Sequence, residues 1–291
     1  MTAGVVWALV AAVGFGFTQT VNRKANLLTD AYRTAFGLLV SVEVLLILRA
    51  TLTGEWSLLS TAPWWAIAAF TGSTLIHYLG GWTLLALSQQ SIGVARTGAL
   101  VSAAPIVGVL LAIPILGESL TLVTFLGVLL MVGGVFLVSI SGARTAGAWT
   151  RPWLALTVAA LWGTSPMLIR IGLRGLDAPV LGLTVGLGLS LIIHAIALTV
   201  VGTWKRPAPP RNAFGWMAVG GVTGAVGIGA QWISFGLTTI AIAITVQQLA
   251  TLIVVGLAPL VFDARIERIT VPLGAGTAAM LAGSAVVVWI G

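Results

Sequence analysis

The apolar positions of this chain fall into long runs, with polar and charged residues gathered at the joints between them. Read in order, the runs are Gly4–Thr20, Ala31–Leu48, Trp64–Leu87, Gly93–Leu116, Thr121–Ile140, Pro152–Ile171, Pro179–Gly202, Phe214–Leu237, Ala241–Phe262 and Thr270–Ile290. About 20 apolar residues, each rising 1.5 Å in a helix, cross the hydrocarbon core of a bilayer. The pattern therefore predicts an all-α integral membrane protein with ten transmembrane helices. The tightest joins are expected after Gly117-Glu118 and at Thr238-Thr239. Charged or proline-rich connections separate other runs, notably Ser141–Arg151 and Lys205–Arg211. No stretch is long enough to form a separate soluble domain.

An internal repeat emerges when the chain is slid against itself by about 147 to 150 residues. Gly16 then meets Gly163, Arg23 meets Arg170, Trp82 meets Trp232 and Glu118 meets Glu267. Thr121, Gly127, Met131 and Gly134 meet Thr270, Gly276, Met280 and Gly283, and a different gap pairs Pro114 with Pro259. The repeats are residues 1–143 and 144–291, with five spans in each. An odd number of spans turns the second repeat upside down, so two inverted five-helix repeats are expected, with a substrate site between them near the midplane.

Composition agrees. A chain with 58% hydrophobic and 7% charged residues is no soluble domain. Its net charge of +7 would suit nucleic acid, but the basic residues punctuate the apolar runs, so no nucleic-acid partner is expected. Arg23, Lys24, Arg33, Arg144, Arg151, Lys205, Arg206, Arg211, Arg265 and Arg268 fall in the connections after the first, fifth, seventh and ninth runs. The other side holds Arg49, Arg170 and Arg174, while Arg96 lies inside a run. The positive-inside rule then puts both termini outside the cytoplasm. The absence of cysteine excludes disulfides, thiolate nucleophiles and Cys-bound metals. The N-terminus lacks a basic region and a small-residue cleavage pattern, so the first run is expected to stay in the mature protein.

One stretch concentrates chemistry inside an apolar run: Thr71–Ser88 carries His77, Tyr78 and Trp82 around Gly80-Gly81. An ionisable side chain at that depth is costly and usually functional. Other candidate lining groups are Thr18, Gln19, Trp162, Ser165, Gln231, Trp232, Gln247 and Gln248, with Ser234 beside them. Together they pair flat ring surfaces with neutral donors and acceptors, which suits a small zwitterion with an apolar side chain. Interfacial anchoring competes for Trp82 and Trp232, and helix–helix hydrogen bonding competes for the glutamines. The abundant glycines read chiefly as packing positions, and Pro105 and Pro166 as kinks within spans.

Phosphorylated substrates would call for several midplane cations, and only Arg96 is within a span. A proton-coupled exporter of cationic drugs would need a central carboxylate. Glu43 in the second run is the well-buried acidic candidate, with an arginine or water as its expected partner, and His194 reads as a packing residue. His77 titrates near neutrality, so a proton role competes with facilitated transport, which is the expectation here. An enzyme needs a nucleophile with a base, or metal ligands, in close array. No such constellation is visible, and no cofactor or metal is expected. A permanently open pore is disfavoured by the repeat.

The two five-helix halves, Trp162-Gly163-Thr164-Ser165 in the sixth run and Gly117-Glu118 closing the fourth resemble the EamA-type drug/metabolite transporters over essentially the whole chain. The first half departs from the pattern with Phe15-Gly16-Phe17-Thr18 where Trp-Gly is usual, and Arg265-Ile266-Glu267 replaces the second Gly-Glu. The third helix looks most like that of a bacterial amino-acid exporter. The resemblance implies ten helices in an inverted repeat and export of aromatic or other neutral amino acids and related metabolites. The expected setting is a bacterial inner membrane, with a small-molecule substrate, the lipid bilayer and a monomeric chain.

Overall fold

The computed structural model describes residues 2–92, 97, 100–141, 151–205, 207–261 and 271–289. Gly93, Arg96, Arg144, Arg206, Phe262, the Arg265-Ile266-Glu267 run, Arg268, Thr270 and Ile290 lie outside them. Helices dominate, and no strand occurs among the described residues. Helix α1 is Ala3–Asn26 and α2 is Ala31–Thr53. Helix α3 runs without a break over 64–92, as Trp64–Thr74, a wider π-helical turn at Leu75–Trp82, and Thr83–Ile92. Then come α4 (Ala104–Leu116), α5 (Leu122–Ser141), α6 (Trp153–Gly175), α7 (Pro179–Val200) and α8 (Arg211–Leu237). Helices α9 (Ile240–Gln247), α10 (Ala250–Val261) and α11 (Val271–Trp289) complete the order.

Among the described residues, five helices are long and apolar enough to cross a membrane: Ala3–Asn26, Tyr32–Thr53, Trp153–Gly175, Pro179–Val200 and Arg211–Leu237. Shorter apolar helices span Ala104–Leu116, Leu122–Val138, Ile240–Val254 and Gly274–Trp289. Two expected spans are interrupted. The chain turns at Ser102-Ala103 before α4 and at Gln248-Leu249 between α9 and α10. Pro105 does not kink a continuous helix; it sits in the first turn of α4, where its missing N–H leaves no broken bond. The second break is a tight turn in which Gln248 N and Leu249 N donate to Thr245 O and Val246 O, each at 3.1 Å.

Glycines set how closely the helices cross. A Cβ built on Gly14 would stand 2.5 Å from Gly227 Cα, so α1 and α8 meet backbone to backbone. On α6, a Cβ on Gly163 would lie 2.7 Å from Ala104 O and from Val107 Cβ of α4. On α1, a Cβ on Gly16 would meet Ile253 Cβ at 2.5 Å and Ala250 O at 3.2 Å, both on α10. Helices α5 and α11 cross through Gly127, Gly134, Gly276 and Gly283: Gly134 abuts Gly276 O and Gly283 abuts Gly127 O, both at 2.7 Å from the built Cβ. The Phe70 ring of α3 fills a hollow made by Gly172 of α6 and Gly182 of α7, while Gly186 of α7 lies against the Phe70 backbone.

These crossings sort the helices into groups. Helix α1 packs on α8 and α10, and α2 on α8; α6 packs on α3 and α4, and α3 also on α7. The groups meet where α2 crosses α7, where α9 touches α4 and where α8 touches α6, and α5 pairs with α11. Helices early in the chain thus pack mainly on late ones. A shared core of Leu38, Phe70, Leu187, Trp232 and Phe235 lies among them. Arg33 is buried rather than a loose loop charge: it pairs with Asp30 at 3.2 Å and donates to Thr203 O at 2.7 Å, tying the start of α2 to the chain after α7.

Neighbouring glycines on α5 test this packing. Gly134→Ala would push a methyl group into backbone of α11, whereas a Cβ on Gly133 meets nothing within 4 Å. The expected cost at position 134 is about 1–3 kcal/mol, read as a lower melting temperature in detergent. Gly133→Ala should leave that temperature unchanged or raise it, because alanine favours a helix by up to about 1 kcal/mol over glycine.

Candidate substrate site

The π-helical turn of α3 has a physical cause and a consequence. Gly80 and Gly81 remove two side chains from the turn, and the Trp162 indole of α6 occupies the space: a Cβ on Gly81 would collide with its Nε1. From there Nε1 donates to His77 O at 3.1 Å. The His77 and Trp162 rings stack, with centroids 5.4 Å apart and planes 15° apart. His77 Nδ1 and Ser165 Oγ share a hydrogen bond of 2.7 Å. Three residues singled out from the sequence, His77, Trp162 and Ser165, therefore form one cluster across α3 and α6. π turns of this kind concentrate at functional sites.

Tyr78 and Trp82 extend the aromatic wall. Tyr78 lies 4.7 Å from the His77 ring and 5.9 Å from the Trp82 ring, edge to face with the latter. Trp82 is half-buried, but Tyr78 is buried, and its hydroxyl has no hydrogen-bond partner. That oxygen lies beside Trp232 of α8 without a well-formed bond to it. Trp232 itself is 1% exposed and packs on Phe70 with centroids 5.5 Å apart, so it is a core ring and not a headgroup anchor. One turn before it, Gly229 is buried yet a Cβ there would meet no atom within 4 Å, which marks unfilled space beside α8.

The remaining candidates divide. Gln231 Nε2 donates to Gln247 Oε1 at 2.9 Å, and Gln247 Nε2 donates to Ser234 Oγ at 3.1 Å. This buried set joins α8 to α9 and already satisfies itself. Thr18 is likewise spent on packing: its hydroxyl bonds Gly14 O at 2.8 Å and the Thr223 hydroxyl at 2.9 Å. Gln248 is half-buried in the turn between α9 and α10. Gln19 is exposed. It lies about 200° around α1 from Phe17, which lines an apolar groove on the outer α1–α8 surface with Val13 and Val222, so Gln19 faces the opposite way.

Two polar residues missed in the sequence reading support the cluster from behind. Ser73 Oγ donates to Ser165 O at 3.1 Å, and the Thr74 and Ser190 hydroxyls meet at 2.6 Å. The signal was present, since both precede His77 inside an apolar run. Glu43 is buried where α2 crosses α7, its carboxyl against Gly188; Oε2 has no partner, and no arginine pairs with it among the described residues. His194 is buried on α7 against the edge of Phe36. Among the described residues no group of three potential ligands could hold a metal ion.

The hydroxyls at positions 78 and 165 should respond differently to removal. Tyr78→Phe deletes an oxygen with no protein partner and should leave thermal stability unchanged or raised. Ser165→Ala strands His77 Nδ1 and should cost about 1–3 kcal/mol. Melting of the purified variants in detergent checks both; equal losses would mean that Tyr78 has a partner after all.

Residues 2–140 match the EamA-like transporter family. No curated protein matches the chain. A solved crystal structure, described only as that of a protein, superposes with a TM-score of 0.80 at 14% sequence identity, covering 99% of this chain and 98% of that one. At that identity the shared property is the fold. The chain is accordingly a multi-pass membrane protein by its long apolar helices, and its residues 2–140 are similar to the EamA-like transporter family.

Proposed function

We propose that the chain is an exporter of aromatic and other neutral amino acids, working by alternating access with ten spans in two inverted five-helix repeats, 1–143 and 144–291. Reciprocal packing supports the repeats. Gly16 rests on positions 250 and 253 just as Gly163 rests on 104 and 107, and the glycines at 127 and 134 pair crosswise with 283 and 276. The turns at 102–103 and 248–249 recur at the same spacing, and broken helices border the binding sites of inverted-repeat carriers. Alternating access is then relative motion of the two helix groups, each drawn from both repeats. The basic-residue asymmetry supports external termini in a bacterial inner membrane, and a single chain holding both repeats is read as a monomer.

The observation that carries the substrate class is the ring-and-hydroxyl cluster of His77, Trp162 and Ser165 beside the unpartnered Tyr78 hydroxyl. Ring faces at Trp82 and Trp162 accept an apolar side chain and attract an ammonium group. The Tyr78 hydroxyl and the imidazole edge are neutral partners for the carboxylate, with Gln19 and Gln248 on the approaches. Thr18, Gln231, Gln247 and Trp232 hold the walls in place. Uptake of radiolabelled tryptophan into liposomes tests this. Trp82→Ala should weaken apparent affinity several-fold, since a ring contact is worth about 0.5–1.5 kcal/mol beyond its buried area. Trp56→Ala is the control, on an exposed ring remote from the cluster, and should transport normally. Normal transport by Trp82→Ala would move the site elsewhere.

Facilitated transport is the favoured mode, because the cluster has no carboxylate. The buried Glu43 oxygen without a partner favours a second reading, proton-coupled efflux. Counterflow should proceed without a pH gradient and be unaffected by Glu43→Gln. Accumulation of a zwitterionic substrate driven by an imposed pH gradient, and lost in Glu43→Gln, would establish coupling instead.

A further inference from the structure

At one end of the molecule α6 and the connections after α4 and α8 converge through a pair of opposite charges. Gly117, with φ of 72°, turns the chain at the end of α4 and presents Glu118. Both Glu118 carboxylate oxygens accept from Ile240 N, at 3.0 and 3.1 Å, at the first residue of α9. Arg170 of α6 donates from Nη1 to Phe235 O at 2.6 Å and to Thr238 O at 3.2 Å, where α8 ends. Its Nη2 stands 3.8 Å from Glu118 Oε1. Arg174 adds a longer bond, 3.4 Å, to Leu116 O. An anion thus sits on a helix N-terminus and a cation on a helix C-terminus, the arrangement each helix end favours.

The contacts join parts that alternating access must separate. Arg170 and Glu118 belong to α6 and the end of α4; their partners belong to α8 and the start of α9. Beneath them Phe235, Ile240 and Leu176 are buried. The pair itself is built to let go. Its side chains are 29% and 10% exposed, the ionic contact is long, and water can replace carbonyl and amide partners at a partly wetted site. We propose that Arg170 and Glu118 form the gate that closes this end of the transport path, and that the conformation described here is the one closed at this end. The proposal rests on the carrier reading above.

Site-directed labelling tests it in the full chain, which has no native cysteine. Ile244→Cys places a reporter one turn below Ile240, at the seam where the Ile244 side chain meets Gly108 of α4. Ser119→Cys, on the exposed connection after Glu118, identifies which membrane face carries the gate. Whole cells and permeabilised cells are treated with a membrane-impermeant maleimide. Adding Glu118→Gln or Arg170→Gln should raise labelling at position 244 at least fivefold from the Ser119 face only, with Arg170→Lys closer to the unmodified level. Unchanged labelling, with or without a lower melting temperature, overturns the proposal, because the pair would then be a staple or neutral. An equal rise from both faces also overturns it, as general loosening. Labelling needs no substrate, so absence of saturable uptake by the unmodified protein would sink the carrier reading on separate evidence.

Discussion

Close backbone approach is the constraint on which the rest of this structure depends. In a bilayer, lipid tails are as apolar as leucine, so helices gain little by hiding apolar side chains from their surroundings. What remains is contact distance, and glycine sets it. The Gly14–Gly227, Gly163–Gly108 and Gly134–Gly276 crossings bring main chains together with no side chain between them. Phe70 uses the same device in reverse, inserting one large ring into a hollow lined by two glycines, Gly172 and Gly182. Moving any of these helices outward by the width of a methyl group would separate the surfaces on which the candidate site is built.

That site shows how a packing device becomes a chemical one. Gly81 lets the Trp162 indole reach the backbone of α3, and the widened turn brings His77 O to its N–H. The same approach stacks the imidazole on the indole and sets it against Ser165. A regular helix with side chains at 80 and 81 would hold α3 away from α6 and dissolve the cluster. The polar groups there are mostly satisfied by one another, and the Tyr78 hydroxyl is the exception.

The interleaving of helices bears on how such a molecule moves. Helix α3 packs on α6 and α7, and α8 on α1 and α2, so neither half of the sequence forms a body of its own. Each helix group draws on early and late parts of the chain. The seams are of two kinds. The interior seams are largely apolar, as where Ile244 meets Gly108. The end seam between α6 and α8 is polar, with Arg170 on the carbonyls that finish α8.

Much of this was legible in the sequence, and the reason is chemical. An all-helical membrane chain follows from apolar runs that must satisfy every backbone group internally. The duplicated glycines raised the expectation of a repeat, and His77 stood out because an imidazole is costly in such a run. Pairing was not legible. Gln231, Gln247 and Trp232 look like a binding surface in one dimension, and only their neighbours in space show that they are bonded or packed. The breaks at 102–103 and 248–249 were hidden because hydropathy continues through them. The bonds from Glu118 to the start of α9, and from Arg170 to the end of α8, join residues far apart in the chain. Burial and helix length are written locally in side-chain type, whereas partnership depends on which backbones come within reach, and that is decided when the helices cross.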